Sequence, residues 1–414
     1  MTQTISNVSE LGKIIAKTGA AMLADKAHFC KSIDKEPASS FGQFNGFNTG
    51  DALKINKPAR FIAQTSADIT STIQEVIEET ATLTLDTRIN VPIRLTSAEI
   101  QNELALKDWS KRVLDPAVST IAQKIESTFL AAAKNQTYNL VGTAGSTTHD
   151  TALMLSAGVK LSQNLAPEDG SWKALLDPLA TASATDSRKG LFQSSSAIAE
   201  QYKQGFVGMA DGFAFLRNNL LPRHTNGADV SGIAVENSVV TIANGMSTLG
   251  VDGVTSGATI KAGTVFTIAS CYAVHPITKE TLPHLQQFVV TADVTETASN
   301  SVTLAISPSI YYTTTDSRQN VSTAPVDEDA LVFIGAASTA YTQGLVYHPS
   351  AFRMASVPLM LPRGAHMAEQ ETVDGMTLRV WMDSNILTDT MVLRVDFLGG
   401  FCVPRPEWAV RITS

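Results

Sequence analysis

Few residues in this 414-residue chain have types and spacing that could carry chemistry. His275, Glu280 and His284 bracket a short polar segment and offer the nitrogen and oxygen donors of a metal site. Their nine-residue span in a β-rich region matches no ligand spacing, so they read as loop histidines. Ser194, Ser195 and Ser196 could supply a nucleophile, but a serine needs an adjacent base and none lies nearby in sequence. Serines that open a short helix cap its free amides instead. His366, just after Gly364, fits a turn. No P-loop, dinucleotide glycine fingerprint, GxSxG elbow or HExxH pair occurs. Trp109, Trp172, Trp381 and Trp408 are scattered and read as core or interface residues. Cys30, Cys271 and Cys402 are far apart and odd in number, which predicts free, buried thiols in a reducing compartment. The expectation is a protein without catalytic residues, cofactor or metal.

Composition narrows the class further. With 44% hydrophobic and 17% charged residues the chain can bury a large core, and its length predicts two or three domains. A net charge of -8 argues against nucleic-acid binding through the general surface, which needs clustered Lys and Arg. Nothing resembles a signal peptide or an eighteen-residue apolar run, so the chain is expected to start in a cytoplasm and to span no membrane.

The organising element is Ser97 to Gln136. Asp115 and Pro116 look like the cap and first residue of a helix, after which Val118, Ile121, Ala122, Ile125, Phe129, Ala132 and Ala133 recur on one face. Before it, Ala81 to Leu95 alternates strictly between apolar and polar residues, predicting a long half-buried strand paired with Asp51 to Ala63. Between these runs, Ile69, Ile73, Val76 and Ile77 are spaced as on a short helix beside Glu75, Glu78 and Glu79. A projecting hairpin with so little core of its own implies a partner surface, and its acidic group would seek Lys or Arg there.

Met1 to Asn48 reads as an arm whose weakly amphipathic helix becomes stable by docking elsewhere; folding on its own domain is the alternative. After the central helix, Ala152 to Leu165 reads as a helix, Ala174 to Leu179 as a strand and Ser194 to Gln204 as a short helix. From Arg223, helical periodicity disappears. Val235 to Ile242, Ala258 to Ile260, Thr264 to Val274, Leu285 to Asp293, Ser301 to Ile306 and Ala330 to Ile334 read as short strands of an all-β insert, closed as a barrel or sandwich. Met376 to Asp383 and Met391 to Cys402 read as closing strands.

Several stretches, in this order, resemble the major coat protein of tailed bacteriophages of the phage P22 type. They are Lys57-Pro-Ala-Arg-Phe61, Leu83-Thr-Leu-Asp86, Trp109-Ser-Lys-Arg-Val-Leu-Asp-Pro-Ala117, Glu200-Gln-Tyr-Lys-Gln-Gly205, Gln286-Gln-Phe-Val-Val-Thr-Ala-Asp293 and Arg363-Gly-Ala-His366. The resemblance implies an α+β HK97-like phage capsid fold with an inserted all-β barrel domain. It maps residues 1–48 to an N-terminal arm, 49–96 to an extended loop, and 97–145 to a peripheral domain with a spine helix. Residues 146–222 and 338–372 become an axial domain, 223–337 the insert, and 373–414 the closing peripheral strands.

The implied function is self-assembly, as hexamers and pentamers, into an icosahedral shell around double-stranded DNA, without specific DNA contacts. Scaffolding, portal and decoration proteins are the implied partners, and assembly in the bacterial cytoplasm gives a virion shell. Ile69, Ile73, Glu75, Ile77, Glu78 and Glu79 would form the intersubunit loop, and Lys13, Lys17 and Lys26 would face the scaffold. An enzyme with a β-sandwich accessory domain, or a tail or adhesin-like structural protein, are the rival readings. The first lacks a clustered acid/base pair, and the second would lack a projecting hairpin directly before a long helix.

Overall fold

The computed structural model describes residues 4–41, 49–63, 65, 70, 73–96, 110–146, 149–188, 208–297, 300–385 and 390–413. The chain divides into two compact units: Met1–Ile55, Thr80–Leu130 and Phe352–Pro404 form one, and Asn56–Glu79, Ala131–Ala351 and Arg405–Ser414 the other.

The first unit is built on the long strand Thr390–Cys402, whose Leu393, Val395 and Phe397 are buried. Met376–Asn385 pairs along one edge and carries Met367–Val373 beyond it. The other edge takes Thr87–Thr96, in register from Thr390 opposite Thr96 to Gly399 opposite Thr87. The single strand expected over Ala81 to Leu95 is therefore two. Thr80–Thr84 pairs with Ala52–Asn56, and the amides of Leu85 and Asp86 bond Asp51 O (2.8 Å) and Thr84 O (3.1 Å) in the turn between. That turn sends the second half to the C-terminal strand. Alternation fixes which face of a strand is buried and is silent on its partner.

The N-terminal helix, Thr4–Lys26, folds onto its own unit, against the strands Met367–Val373 and Met376–Asn385. Its buried face is Ile15, Ala16, Gly19, Ala20, Leu23 and Ala24. Gly19 comes so close to Leu378 that a Cβ there would lie 2.8 Å from its Cδ2. The docked arm expected from sequence is thus corrected: its small residues pack tightly although they form a weak hydrophobic stripe. The following turn is held by the Glu126 carboxylate, which accepts from the Phe29 amide, and by Phe29 packed edge-on against Phe352 at 5.7 Å.

The spine helix spans Asp115–Gln136, with Val118, Ile121, Ala122, Ile125, Phe129 and Ala133 buried as expected. Phe129 stacks on Phe401 at 5.1 Å. The start differs from the capped start expected. A π-helical turn, Ser110–Leu114, runs directly into it, so Asp115 lies inside a continuous helical run and pairs with Lys26. Proline removes one i→i−4 hydrogen bond, and the wide turn just before Pro116 is where the ladder is already loosened.

The second unit contains a sheet ordered Leu140–Val141, Ala409–Thr413, Gln343–Tyr347, Lys173–Leu176, Phe213–Arg217, Met209–Ala210. The helix Thr151–Gln163 starts where Asp150 accepts from the Leu153 amide (2.9 Å), and buries Met154, Ala157 and Leu161 with Ala174, Leu176, Phe213, Val346, Val410 and Ile412. A second helix, Pro178–Ser187, starts at Asp177, which accepts from Leu179 N at 3.3 Å.

The expected all-β region begins and ends at one place, where His224–Thr225 pairs antiparallel with Ala340–Tyr341. Beyond this neck, six strands follow the order Ala234–Val235, Met246–Asp252, Val302–Ile310, Thr281–Val290, Val265–Val274, Leu331–Phe333. The first and last meet at an Ala234–Ala330 bridge, with Val235 N donating to Asp329 O and Leu331 N to Ile233 O, each 2.9 Å. Joining the outer strands leaves little edge open to other chains. Inside lie Leu249, Val251, Phe266, Ile268, Phe288, Val290, Leu304 and Ile306, each worth about 1.5–3 kcal/mol when buried. The strand expected over Val235 to Ile242 ends at Val235; the chain turns and crosses Gly250, where a Cβ would meet Glu236 O at 2.6 Å.

Candidate assembly surface

The described residues between 56 and 79 follow the strand pair Ala52–Asn56 and Thr80–Thr84, and their large apolar side chains have little core of their own. The base is laced by polar contacts: Lys57 N donates to Glu79 O (2.7 Å), Asn56 Nδ2 to Glu78 Oε2 (3.0 Å), and Lys57 Nζ to Glu79 Oε2 (3.5 Å). Further out, Gln74 acts as a substitute peptide group. Its Oε1 accepts from Ile62 N (2.8 Å) while its Nε2 donates to Ile62 O (2.6 Å), so both backbone groups of Ile62 are satisfied by one side chain. Arg60 is tied to Glu407 at 3.2 Å.

The apolar side chains have no such partners. Ile73 is 79% exposed, Val76 68%, Phe61 59% and Ile77 42%. Residues 73–79 run without helical structure, so the short helix expected there is corrected in its described part; Ile69 lies outside the described residues. Glu75 is exposed, whereas Glu78 and Glu79 are already engaged within the loop, which corrects the expectation that the whole acidic group reaches outward. Gln74 and the Arg60–Glu407 tie went unread in the sequence. An isolated amide gives no periodic signal, and Glu407 is 347 residues away.

On the N-terminal helix, Lys13 and Lys17 are exposed, and Lys26 is held by Asp115. The residues weighed for chemistry are dispersed. His275 Nδ1 accepts from the amides of Ile277 (3.3 Å) and Thr278 (3.1 Å) and so closes its own turn. His284 lines a small cleft with Lys160, Gln286 and Gln287, and burial followed by the Lys160 charge lowers its pKa. Among the described residues no cluster of His, Cys, Asp or Glu could hold a metal. Ser194, Ser195, Ser196 and Trp109 lie outside the described residues, and His366 is exposed in a turn. Cys30, Cys271 and Cys402 are free and buried, and burial pushes Cys271 up to about 11 and Cys402 up to about 12. Among the described residues no helix is long and apolar enough to cross a membrane.

Comparison with known proteins supplies the class: this is a bacteriophage major capsid protein, a subunit that forms the virion shell. The family model described as P22 coat protein, gene protein 5, matches residues 45–413, and the chain belongs to that family. No curated protein matches the sequence. Similar solved structures include one of Mycobacterium phage Che8, with 11% identity over 93% of this chain and 90% of that one at a TM-score of 0.47. The capsid of Ralstonia phage GP4 shows 9% identity over 92% and 87%, at 0.46. The acidic stable capsid of Helicobacter pylori bacteriophage KHP30 shows 10% identity over 92% and 88%, at 0.43.

Proposed function

We propose that copies of this subunit close, as hexamers and pentamers, into an icosahedral shell around double-stranded DNA, with residues 56–79 of one copy lying against a neighbour. The observation that carries this reading is the row of exposed Ile73, Val76 and Ile77 on a segment stiffened by Gln74. Exposed apolar side chains of this size on a segment without a core mark an interaction surface. The role is structural rather than catalytic. In this reading the chain has the HK97-like arrangement of arm, extended loop, peripheral domain and axial domain, with residues 223–337 as the inserted β-barrel domain.

Assembly takes place in the bacterial cytoplasm with scaffolding and portal proteins, and a decoration protein binds the finished shell. Lys13 and Lys17 are the scaffold-facing cations of the arm; Lys26 contributes less because Asp115 already holds it. The DNA is enclosed without specific contacts, since a subunit of net charge -8 repels it within about 10 Å at 0.1 M salt.

Electron microscopy of the expressed protein tests the reading. Wild type should give closed shells, and a variant carrying Ile73→Asp and Ile77→Asp should give folded, unassembled subunits. Normal shells from that variant would remove the loop from the interface. Fibres or lone monomers from wild type supplied with scaffold would overturn the shell itself.

A further inference from the structure

The Ala409–Thr413 strand carries a cation that its surroundings leave unanswered. Arg411 sits between Leu140 on one neighbouring strand and Leu345 on the other and is 1% exposed. Its amide donates to Asn139 O at 2.8 Å, yet Nε, Nη1 and Nη2 meet no acceptor. Desolvating an unpaired ion costs several kcal/mol. Burial pushes the guanidinium down to about 9, which still leaves it charged at neutral pH.

A second cation is near enough to feel this charge. Lys134, in the last turn of the spine helix, places Nζ 3.4 Å from His224 Nδ1, and His224 Nε2 lies 3.2 Å from Thr264 Oγ1. An ammonium can only donate, so Nδ1 accepts and the imidazole is neutral, its Nε2–H donating to Thr264. The charges agree with that tautomer: burial, then Arg411, then Lys134 hold His224 down to about 3, and burial, then Arg411, lower Lys134 to about 8. The carboxylate felt by both is Asp293, which is 57% exposed, accepts from Ala262 N at 2.7 Å and faces Lys261 at 3.6 Å. Among the described residues, the buried Arg411 and the half-buried Lys134 thus share no buried counter-charge. Space is tight as well. At Gly263 (φ +90°) a Cβ would lie 2.7 Å from Asn135 Oδ1 and 3.3 Å from both His224 Nδ1 and Lys134 Cε.

We propose that Arg411 and Lys134 hold a small inorganic anion of chloride size inside this unit, with His224 positioning the Lys134 ammonium. The guanidinium supplies three unmet donor nitrogens and the ammonium supplies the second charge. One planar guanidinium and one ammonium match the few contacts that a single-atom anion needs. The site uses residues from the spine helix, the neck of the all-β region and the Ala409–Thr413 strand, so the anion joins three stretches of chain distant in sequence.

Urea unfolding of the full-length subunit in potassium chloride against potassium gluconate, at fixed ionic strength, tests the site. A ligand bound to the folded state alone lowers the unfolding constant about tenfold for each tenfold rise in its concentration above Kd. Wild type should show that dependence on chloride, Arg411→Met should lose it, and Lys134→Met should need a higher chloride concentration for the same effect. A bromide-soaked crystal should give an anomalous peak beside the Arg411 side chain. Equal wild-type stability in both salts, or a chloride dependence that survives Arg411→Met, would overturn the proposal. Should Arg411→Met fail to fold, the Lys134→Met shift and the bromide peak decide.

Discussion

One buried charge in each unit, Asp396 in the first and Arg411 in the second, is met in an opposite way. In the first, Asp396 is fully buried and three side chains donate to it: Arg379 Nε at 3.1 Å, Arg394 Nε at 2.6 Å and Trp381 Nε1 at 3.1 Å. In the second, Arg411 is as deeply buried and receives nothing from its surroundings. A satisfied buried ion pair is costly to break because its partners are stranded, whereas a stranded ion is cheap to remove. The lesson is that burial alone does not rank charged residues; what must be counted is the partners each one leaves behind.

The largest effect should come from breaking the satisfied node. Asp396→Ala leaves two arginines without their acceptor, and should cost about 3–5 kcal/mol in urea unfolding. Arg411→Met is the matched removal on the other side. In chloride-free buffer it should leave the subunit as stable as wild type, or more stable by about 1–4 kcal/mol. A loss comparable to that of Asp396→Ala would show that Arg411 has a protein partner after all.

Acid sharpens the contrast further. His224 titrates near 3 in the fold against 6.5 when unfolded, so between those values the unfolded chain holds the extra proton and stability falls as pH falls. Replacing His224 with Gln should flatten that part of a stability–pH curve, and an unchanged slope would place the acid sensitivity elsewhere. Lys134 behaves alike at the alkaline end: lowered from 10.5 to about 8, it makes stability rise with pH across that window. The smallest change in stability belongs to the loop. Ile73→Asp and Ile77→Asp should shift unfolding by no more than about 0.5 kcal/mol, since both side chains are exposed, while abolishing shells in micrographs.

What the sequence disclosed followed from periodicity. Val118 through Ala133 announced the spine helix, and the β-branched runs after Arg223 announced the all-β region, because each pattern reports on one face of one element. Partnership was less legible. Thr87–Thr96 alternates equally well for either neighbour, and its true partner lies some three hundred residues away. The docking of the N-terminal helix rests on Gly19, Ala16 and Ala20, whose value is closeness rather than hydrophobicity. Of the assembly surface, Ile73 and Ile77 were readable as apolar residues without a core, while the bracing by Gln74 was not. Arg411 was hidden most completely. Within Ala409-Val-Arg-Ile-Thr413 it occupies the position where an alternating strand would show a charge to water.

The neck of the all-β region has a consequence for how such a subunit can change. Because His224–Thr225 and Ala340–Tyr341 are hydrogen-bonded neighbours, the chain departs and returns at almost the same point. Whatever lies between contributes nothing to the spacing of the two ends. The region can therefore change in length between its strands without altering the separation of the two chain ends, a socket rather than a link in the chain. Natural variation and engineered cargo would be accommodated at the same address.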